Sequence, residues 1–418
     1  MNFQPSTDNL ITNSVSHLKD RIKRLSASYL DEVISIRRHL HKNPELSFEE
    51  YKTSTFVAQK LREYNIPFTD KIIETGIVAV LEGKNPSQKT VALRGDMDAL
   101  PIQETNKVEY RSQTPGIMHA CGHDVHTASL LGVAKILGDL RNEFEGTVKF
   151  IFQPGEEKLP GGAKLMIEQG VLENPKPASI FAQHVFPSME AGKVGFRSGM
   201  YMASTDEMYV TVKGKGGHAA MPGQYINPII IASRIISSLQ AEFMDEETRA
   251  IPGVPTVLAF GKIIANGATN VIPDEVKLEG TFRTMDEKWR AEAHAKMKKI
   301  AGSIAANMGG SCDFNIVNGY PFLVNNEPLT SNARKFAEEY LGKENVEELE
   351  LRMTAEDFAF YSQKIPSCFY RLGTANKAKG ITAGVHTSTF NIDEKALETG
   401  VGLMAWITVK ELATKVGI

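Results

Sequence analysis

Apolar residues in the first 200 positions recur at two different spacings. One set has the period of an amphipathic helix that Pro44 ends, and its members are Leu30, Val33, Ile34 and Leu40. Short apolar runs have the length of strands, and they occupy residues 76–82, 90–93, 147–152 and 180–185. A helical stripe at 126–140 separates the second run from the third. Strands that alternate with helices predict an α/β layer whose sheet is largely parallel.

A helix-start signal lies between the first helix and the first strand. Ser47 and Glu50 have the spacing of a capping box, and Leu46 and Tyr51 are spaced as a hydrophobic staple. This pattern predicts that a second helix starts here and runs to about residue 64.

The middle of the chain follows a different order of elements. Strand-like runs at 207–213, 256–264, 276–283 and 312–317 alternate with helices that Asn227 and Asp286 are placed to cap. The order β-α-β-β-α-β is that of a ferredoxin-like unit, and about 115 residues are enough for a separate domain. We therefore expect a larger α/β domain, residues 1–199 and 319–418, with a satellite domain inserted at 200–318.

Length and composition narrow the class of protein. The chain has 418 residues, which favours two domains, and its 42% apolar and 23% charged residues are typical of a globular protein. A net charge of −3 gives no support for a nucleic-acid partner. Three cysteines exclude a disulfide framework, no apolar run is long enough for a membrane, and the polar N-terminus shows no secretory signal. These features predict a cytoplasmic protein with neither nucleic-acid nor membrane partners.

The densest group of chemically active side chains lies at residues 119–126, whose sequence is HACGHDVH. The segment immediately precedes a predicted helix, so we expect a loop, and loops at strand ends are where α/β proteins build their sites. Cysteine together with histidine suits Zn²⁺ and similar metals. A polar loop with ordinary hydrogen bonds is the alternative interpretation.

Two pairs of acids follow predicted strands. Glu156 and Glu157 come directly after Pro154 and Gly155, and one acid could bind a metal while the other transfers a proton. An exposed turn with two solvated acids would have the same sequence. The second pair is Asp96 and Asp98. Asp98 is suited to accept a hydrogen bond from a metal-bound histidine and so to fix the orientation of its ring. The alternative is that the pair only forms the turn at the end of a strand.

Two isolated histidines complete the set of candidates. His184 lies within an apolar run, where a histidine is more often a core residue than a ligand, and His386 lies in the segment GVHTS. A zinc-type site needs several nitrogen, sulfur or oxygen ligands, and the local cluster cannot supply them all. Single ligands from distant positions are therefore expected.

Short blocks in this chain resemble the M20 metallopeptidases, in particular the amidohydrolase branch that contains hippurate hydrolase, N-acyl-amino-acid deacylases and auxin-conjugate hydrolases. The blocks lie at residues 38–46, 94–101, 118–127, 152–157, 216–220, 269–273, 280–283, 356–358 and 386. They extend from about residue 37 to the end of the chain and keep the family order.

The resemblance implies a zinc-peptidase-like catalytic α/β domain with an inserted ferredoxin-like satellite domain, in a homodimer or higher homo-oligomer. It implies two divalent ions, Zn, Mn, Co or Ni, whose ligands would be Cys121, His123, Glu157, His184 and His386. Glu156 would be the general acid and base, and His218 would stabilise the oxyanion, in many relatives from the partner subunit. Asn270 and Arg283 would contact the carboxylate end of a small-molecule substrate, an N-acetyl or N-benzoyl amino acid or a short peptide.

Three positions depart from the family pattern. Gly155 stands where relatives usually have alanine, Gly223 where they have histidine, and Asn227 where they have aspartate before proline. We expect these differences to concern substrate choice and dimer contacts more than the chemistry.

Two other classes of function remain open at this point. A cysteine hydrolase could use Cys121 as its nucleophile, but it would leave Glu156, Glu157 and His386 without roles, and it should survive chelation. A catalytically inactive binding protein of the same fold would not need a general base, so the complete set of candidate residues argues against it.

Overall fold

Helices and strands alternate along the computed structural model, which describes residues 7–244 and 254–414. The helices are α1 (Thr7–Ser28), α2 (Leu30–Lys42), α3 (Tyr51–Glu63), α4 (His123–Asp139), α5 (Gly162–Glu168), α6 (Pro228–Met244), α7 (Glu287–Asn307), α8 (Glu327–Leu341), α9 (Ala359–Ser362) and α10 (Ala396–Ala413), with 3₁₀ turns at Lys343–Asn345 and Lys377–Lys379. Among the described residues, no helix is both long enough and apolar enough to cross a membrane.

The strands are mostly short, as the apolar runs predict. They are β1 (Phe68–Ile72), β2 (Gly76–Glu82), β3 (Thr90–Asp96), β4 (Thr147–Gln153), β5 (Ser179–Glu190), β6 (Val194–Phe196), β7 (Gly199–Met202), β8 (Asp206–Lys213), β9 (Gly217–His218), β10 (Thr256–Ile264), β11 (Val271–Ile272), β12 (Glu275–Thr284), β13 (Ser311–Asn318), β14 (Leu323–Asn325), β15 (Val346–Glu348) and β16 (Ser367–Ala375).

The chain divides into two compact units. Unit 1 comprises Met1–Gly199, Val324–Glu350 and Phe360–Ile418, and unit 2 comprises Met200–Leu323 and Leu351–Ala359. That residues 200–318 act as a separate satellite domain stays a prediction. Unit 2 extends a few residues beyond this range, and it also includes the short segment Leu351–Ala359.

An eight-stranded sheet forms the centre of unit 1, in the order β1-β2-β4-β3-β5-β16-β6-β15. The four central strands, β4, β3, β5 and β16, are parallel, and β2 and β6 flank them in the antiparallel direction. Every residue of β3 and β4 is buried, as expected for strands that are covered on both faces. The predicted α/β layer with a largely parallel sheet is confirmed for these central strands.

The start of α3 differs from the prediction. The helix begins at Tyr51, and the carboxylate of Glu45 accepts the backbone N–H groups of Lys52 and Thr53 at 2.9 Å each. Ser47 does not cap the helix, because Phe48 has the left-handed backbone angle φ 67° and turns the chain before the helix begins. The capping-box prediction was therefore wrong in its residues, although the helix itself is present.

Unit 2 has the predicted β-α-β-β-α-β order. Its sheet has the strand order β10-β12-β8-β13 and is antiparallel throughout, and α6 and α7 pack on it around a separate apolar core. Both predicted helix caps are confirmed. Asn227 Oδ1 accepts the N–H of Ile229 at 2.9 Å, and Asp286 Oδ1 accepts the N–H of Trp289 at 2.7 Å.

Candidate active site and metal centre

The candidate metal ligands of unit 1 lie on segments that leave the carboxyl ends of the parallel strands. Glu157 follows β4, His184 lies in β5, and His386 lies in the loop between β16 and α10. Cys121 lies just before α4, the helix that follows β3, and His123 is its first residue. Because parallel strands end at the same edge of a sheet, side chains that are far apart in sequence meet there. The segment predicted to be a loop up to residue 126 is thus already helical at His123.

The five predicted ligands form one cluster around the sulfur of Cys121. Its Sγ lies 3.5 Å from Nε2 of His184 and 3.3 Å from Nε2 of His386. Oε1 of Glu157 lies 3.3 Å from Nε2 of His386 and 3.9 Å from Nε2 of His123. Two trios of potential ligand atoms share Cys121, namely Cys121 with His123 and His184, and Cys121 with Glu157 and His386. The two trios together could hold two neighbouring metal ions, with Cys121 as a ligand of both.

Hydrogen bonds fix the orientation of two ligand imidazoles. Nδ1–H of His123 donates to the backbone carbonyl of Asp98 at 2.9 Å and lies 3.1 Å from the Asp98 carboxylate, as predicted for an orienting acid. Nδ1–H of His184 donates to the carbonyl of Val185 at 2.8 Å. Both rings therefore present Nε2 towards the cluster.

The buried atoms of the cluster fit a bound cation. Among the described residues, neither Nε2 of His123 nor Oε1 of Glu157 has a hydrogen-bond partner, although both atoms are buried. Buried polar atoms rarely stay unpaired, since each loses its hydrogen bonds to water. Metal ions held by the two trios would satisfy both atoms.

Two further histidines of the segment at 119–126 lie outside the two trios that contain Cys121, although His126 forms another possible ligand group with Asp96 and His123. His126 Nδ1–H donates to Asp96 at 2.6 Å, and its Nε2 accepts the N–H of Val185 at 2.9 Å, so both ring nitrogens are occupied. His119 is buried, and burial lowers its pKa to about 4. Its two ring nitrogens lack hydrogen-bond partners among the described residues, and it belongs to neither trio.

The charge around the cluster is strongly negative. Burial alone would lower the pKa of His123, but the carboxylates of Asp96 and Asp98 outweigh burial and raise it to about 10. Burial raises the pKa of the Cys121 thiol, and Glu157 and nearby acids raise it further. Burial, together with the Arg371 guanidinium, lowers the pKa of His184 and keeps that imidazole neutral. Excess negative charge beside a neutral imidazole is an environment that favours a divalent cation.

Backbone conformation places two of these side chains. Gly122 has φ +86°, and a Cβ there would lie 2.6 Å from a methyl group of Val185, so only glycine lets the chain turn into α4. His386 has φ 61°, uncommon for a residue with a side chain, and its N–H donates to the Ala120 carbonyl at 2.7 Å. Strained backbone of this kind tends to occur at functional sites.

Glu156, the predicted acid and base, is buried beside the trios. Its Oε2 lies 4.0 Å from Nε2 of His123. His123, Glu156 and Glu157 also form a possible ligand group, so the two neighbouring acids are within reach of the same imidazole. The geometry is compatible with one acid that binds metal and one that handles protons.

The remaining predicted residues lie in unit 2. His218 in β9 and Asn270 are neighbours, since the Ala219 N–H donates to the Asn270 carbonyl at 3.0 Å and His218 pairs with Val271. Both side chains are exposed. Arg283 is half-buried in β12, apart from that pair in the strand pairing, and its Nη1 donates to the Met353 carbonyl at 3.1 Å.

Two residues with a place near the site were missed by the sequence reasoning. Ser47 Oγ donates to Asp98 Oδ2 at 2.6 Å, and Glu50 accepts the Gly155 N–H at 2.8 Å. Both had been interpreted as members of a capping box. The available signal was their position just after the first family-like block, which ends with the segment NPEL, but nothing local indicated contacts across about 50 and 100 residues.

Comparisons with known proteins agree with this geometry. The family model for peptidase family M20/M25/M40 matches residues 92–408. This chain belongs to that family. It is 38% identical to N-acetylcysteine deacetylase of Bacillus subtilis over 386 residues, which covers 91% of this chain and 97% of that protein. It is also 38% identical to thermostable carboxypeptidase 2 of Saccharolobus solfataricus over 402 residues, 95% of this chain and 98% of that protein.

A solved structure of the M20 family has the same fold. The YXEP protein of Bacillus subtilis, described as a dinuclear metal-binding peptidase of the M20 family, superposes with a TM-score of 0.79 and 34% identity. The match covers 93% of this chain and 99% of that one. The predicted family, the predicted fold class and the prediction of a hydrolase are thereby confirmed.

Proposed function

We propose that this M20 enzyme hydrolyses the amide bond of N-acyl amino acids or short peptides. The observation that carries the proposal is the buried Cys121 cluster with the buried carboxylate of Glu156 beside it, 4.0 Å from Nε2 of His123. Relatives that are 38% identical are named as a deacetylase of N-acetylcysteine and as a carboxypeptidase, and both names describe cleavage of an amide bond.

Two divalent metal ions per subunit are the proposed cofactor. Cys121, His123 and His184 would hold one ion, and Cys121, Glu157 and His386 would hold the other. When bound, such ions polarise a carbonyl group and lower the pKa of water to about 7. Thiolate, imidazole and carboxylate ligands suit Zn, Mn, Co or Ni, and metal availability selects among them.

The residues of this chain have distinct proposed roles in the reaction. Glu156 accepts a proton from the attacking water as its oxygen bonds to the scissile carbonyl carbon, and then gives that proton to the amine as the C–N bond breaks. Asp98 keeps His123 in the tautomer that presents Nε2. His218 donates a hydrogen bond to the oxyanion, from its own or from the partner subunit, which typically contributes about 3 kcal/mol.

The carboxylate of the substrate is assigned to unit 2. Asn270 is an exposed amide beside His218, and Arg283 is a half-buried guanidinium. A cavity of about 450 Å³ on the sheet of unit 2 includes Arg283 in its lining. A partly desolvated arginine is well suited to bind a carboxylate with two parallel hydrogen bonds.

We further propose that residues 200–318 act as a satellite domain and that the enzyme is a cytoplasmic homodimer. Ile229 and Ile230 at the start of α6 are 37% and 48% exposed, and an exposed apolar pair on a helix suits contact with a second copy. Sedimentation velocity of the wild type and of an Ile230→Glu variant tests this. A monomer at micromolar concentration would contradict the homodimer.

The decisive experiment is a metal-reconstituted assay with N-acetyl, N-benzoyl and dipeptide substrates, on wild type and on two matched variants. Glu156→Gln should keep its metal and lose kcat by about 10²–10⁴-fold, because an amide cannot accept the proton. Glu157→Gln should instead lose metal. Turnover of no substrate in the panel would contradict the proposal, and the opposite pattern of metal loss would exchange the two roles.

The same assay separates the metal enzyme from a cysteine hydrolase. Burial and the neighbouring acids raise the pKa of the Cys121 thiol, which disfavours a free thiolate nucleophile, whereas a bound divalent cation would itself deprotonate the thiol. Chelation should therefore abolish activity, and added metal should restore it. Activity that survives complete metal removal would favour the cysteine nucleophile.

A further inference from the structure

The segment 45–50, which precedes α3, holds three side chains that contact backbone or carboxylate groups elsewhere in unit 1. The Glu45 carboxylate accepts the N–H groups of Lys52 and Thr53 in the first turn of α3. Ser47 and Glu50, by contrast, both contact groups that lead to the two acids after β4. The segment therefore contains a purely local helix cap next to two long-range contacts.

Glu50 is fully buried and holds the residue just before Glu156. Its Oε1 accepts the N–H of Phe48 at 2.9 Å and the N–H of Gly155 at 2.8 Å, while Oε2 accepts the hydroxyl of Thr75 at 2.8 Å. These contacts join the segment 45–50, the turn before β2 and the loop after β4 at one carboxylate. Since Gly155 precedes Glu156 directly, the position of its amide sets the direction in which the Glu156 side chain leaves the backbone.

Ser47 reaches the other acid through Asp98. Its hydroxyl donates to Asp98 Oδ2 at 2.6 Å, and the N–H of Glu157 donates to the same oxygen at 2.9 Å. The other side of Asp98 receives Nδ1–H of His123. Ser47 thus supports an aspartate that holds the backbone of one proposed metal ligand and the ring of another.

Steric fit and backbone strain accompany these hydrogen bonds. Gly155 has φ +66°, and a Cβ there would lie 2.3 Å from the ring of Phe48, so the two segments are in direct contact. Phe48 itself has φ 67°, and Ile73 and Glu74 in the turn before Thr75 have φ 45° and 75°. A β-branched residue in the left-handed region is rare, and such strain persists only where the surroundings hold it in place.

We propose that Glu50 is a positioning residue for proton transfer, which acts on Glu156 through the amide of Gly155, and that Ser47 positions the metal ligands through Asp98. This inference rests on the proposed function, because it assigns the effect of Glu50 to the general base. It also explains the glycine at 155, where relatives usually have alanine: the contact with Phe48 leaves no room for a Cβ.

The test compares two glutamates of the same segment. Glu50→Met removes the acceptor for Gly155 and should lower kcat by about 10–100-fold, since small misplacements of a reacting group are costly. KM and metal content should stay within about twofold. Glu50→Gln keeps one acceptor oxygen and should restore kcat to within about threefold of wild type. Glu45→Met, the matched control, should lower the melting temperature and leave kcat unchanged.

Hydrogen exchange gives a readout that does not depend on activity. Exchange of the Gly155 amide should be at least about tenfold faster in Glu50→Met than in wild type or Glu45→Met, because it has lost its buried acceptor. Ser47→Ala should weaken metal affinity about tenfold with a smaller change in kcat of the fully loaded enzyme. If Glu50→Met does not fold, Thr75→Val removes only the hydroxyl contact and should show the same changes in the same direction.

The outcomes separate this inference from the function on which it rests. Unchanged Gly155 exchange in Glu50→Met, or a kcat equal to that of Glu45→Met, would overturn the positioning role while Glu156→Gln remains inactive. Equal losses of kcat in both glutamate variants would also overturn it, because the effect would then be one of general stability. A fully active Glu156→Gln variant would instead refute the proposed function, and with it the catalytic effect assigned to Glu50.

Discussion

The proposed metal ligands of unit 1 and the proposed substrate contacts of unit 2 are held in very different ways. Cys121, His123 and His184 are at least nine-tenths buried, and the two imidazoles are oriented by hydrogen bonds from Nδ1. His218 and Asn270 are exposed on a short two-stranded ribbon. The first group is held by buried surroundings, whereas the exposed ring of His218 accepts the N–H of the nearby Ala220 at Nδ1, at 3.1 Å. Substitutions in the two groups should therefore fail in different ways.

The largest effect is expected from Cys121, because both ligand trios contain it. Cys121→Ala should abolish activity and lose both metal ions, whereas His386→Ala should abolish activity but retain more metal than Cys121→Ala. Metal content by mass spectrometry of the purified proteins checks this. Cys312→Ala is the control, since that thiol lies in β13 of unit 2. Full occupancy in both ligand variants would contradict the assignment.

His218 should show the opposite behaviour. His218→Ala should lower kcat by about 10²–10³-fold, as expected for the loss of an oxyanion donor, with unchanged metal content and melting temperature. Kinetics of the metal-loaded variant test this, with His17→Ala in the exposed part of α1 as a control. An unchanged kcat would make His218 an ordinary surface residue.

Subunit mixing then locates this histidine. If His218 acts from the partner subunit, His218→Ala mixed with Glu156→Gln should recover some activity, because one site of a mixed dimer contains both intact groups. No recovery despite demonstrated subunit exchange would show that each subunit supplies its own histidine.

A third test concerns the buried charge of unit 2. Asp206 accepts hydrogen bonds from Arg290 at 2.5 and 2.9 Å and from His294 at 2.7 Å. Burial would raise the pKa of Asp206, but the hydrogen bonds from His294 and Arg290 outweigh burial and lower it. A lowered folded-state pKa stabilises the protein above the unfolded-state pKa of about 4, and this stability is lost as the pH falls through the folded-state pKa.

Asp206→Asn should accordingly cost about 3 kcal/mol at neutral pH, because the buried Arg290 loses the Asp206 carboxylate and keeps its ion pair with Glu287. The difference from wild type should shrink in acid, which urea unfolding between about pH 6 and about pH 3 would show. Asp313→Asn, on the exposed side of β13, provides the control. A difference that is independent of pH would contradict the role of ionised Asp206.

Local sequence patterns predicted most of the helices and strands, but they could not predict contacts between residues that are far apart in sequence. The caps at Asn227 and Asp286 were found because a cap depends only on residues two or three positions away. The segment at Ser47 and Glu50 has the same local pattern, but its side chains contact Asp98 and Gly155 instead. Tertiary partners replaced the local ones there, and no spacing rule contains that information.

The candidate site shows the same limit. The cluster at 119–126 was visible because its members are adjacent, but which histidines present a nitrogen to the proposed metal site depends on hydrogen bonds that only the fold provides. His126 is occupied by Asp96 and Val185, and His123 keeps Nε2 available. His184 and His386 were candidates as isolated histidines, but their assignment as proposed ligands came from the family resemblance, since neither has a local pattern that sets it apart from a core or loop histidine.

The smallest predicted effect tests a departure from the family pattern at the start of α6. Asn227 Oδ1 accepts the N–H of Ile229, and Asn227→Ala should cost about 1 kcal/mol of stability, as the loss of a helix N-cap typically does. Asn227→Asp, the residue usual in relatives, keeps the acceptor and adds a negative charge at the helix N-terminus, which favours it by about 0.3–1 kcal/mol. Urea midpoints of the three proteins measure both changes. Metal content should be the same in all three, because the cap belongs to unit 2 and the ligands to unit 1. If Asn227→Ala also lost metal, the stability of unit 2 would affect the proposed metal ligands of unit 1. The contrast between the buried proposed ligands and the exposed proposed substrate contacts would then be wrong.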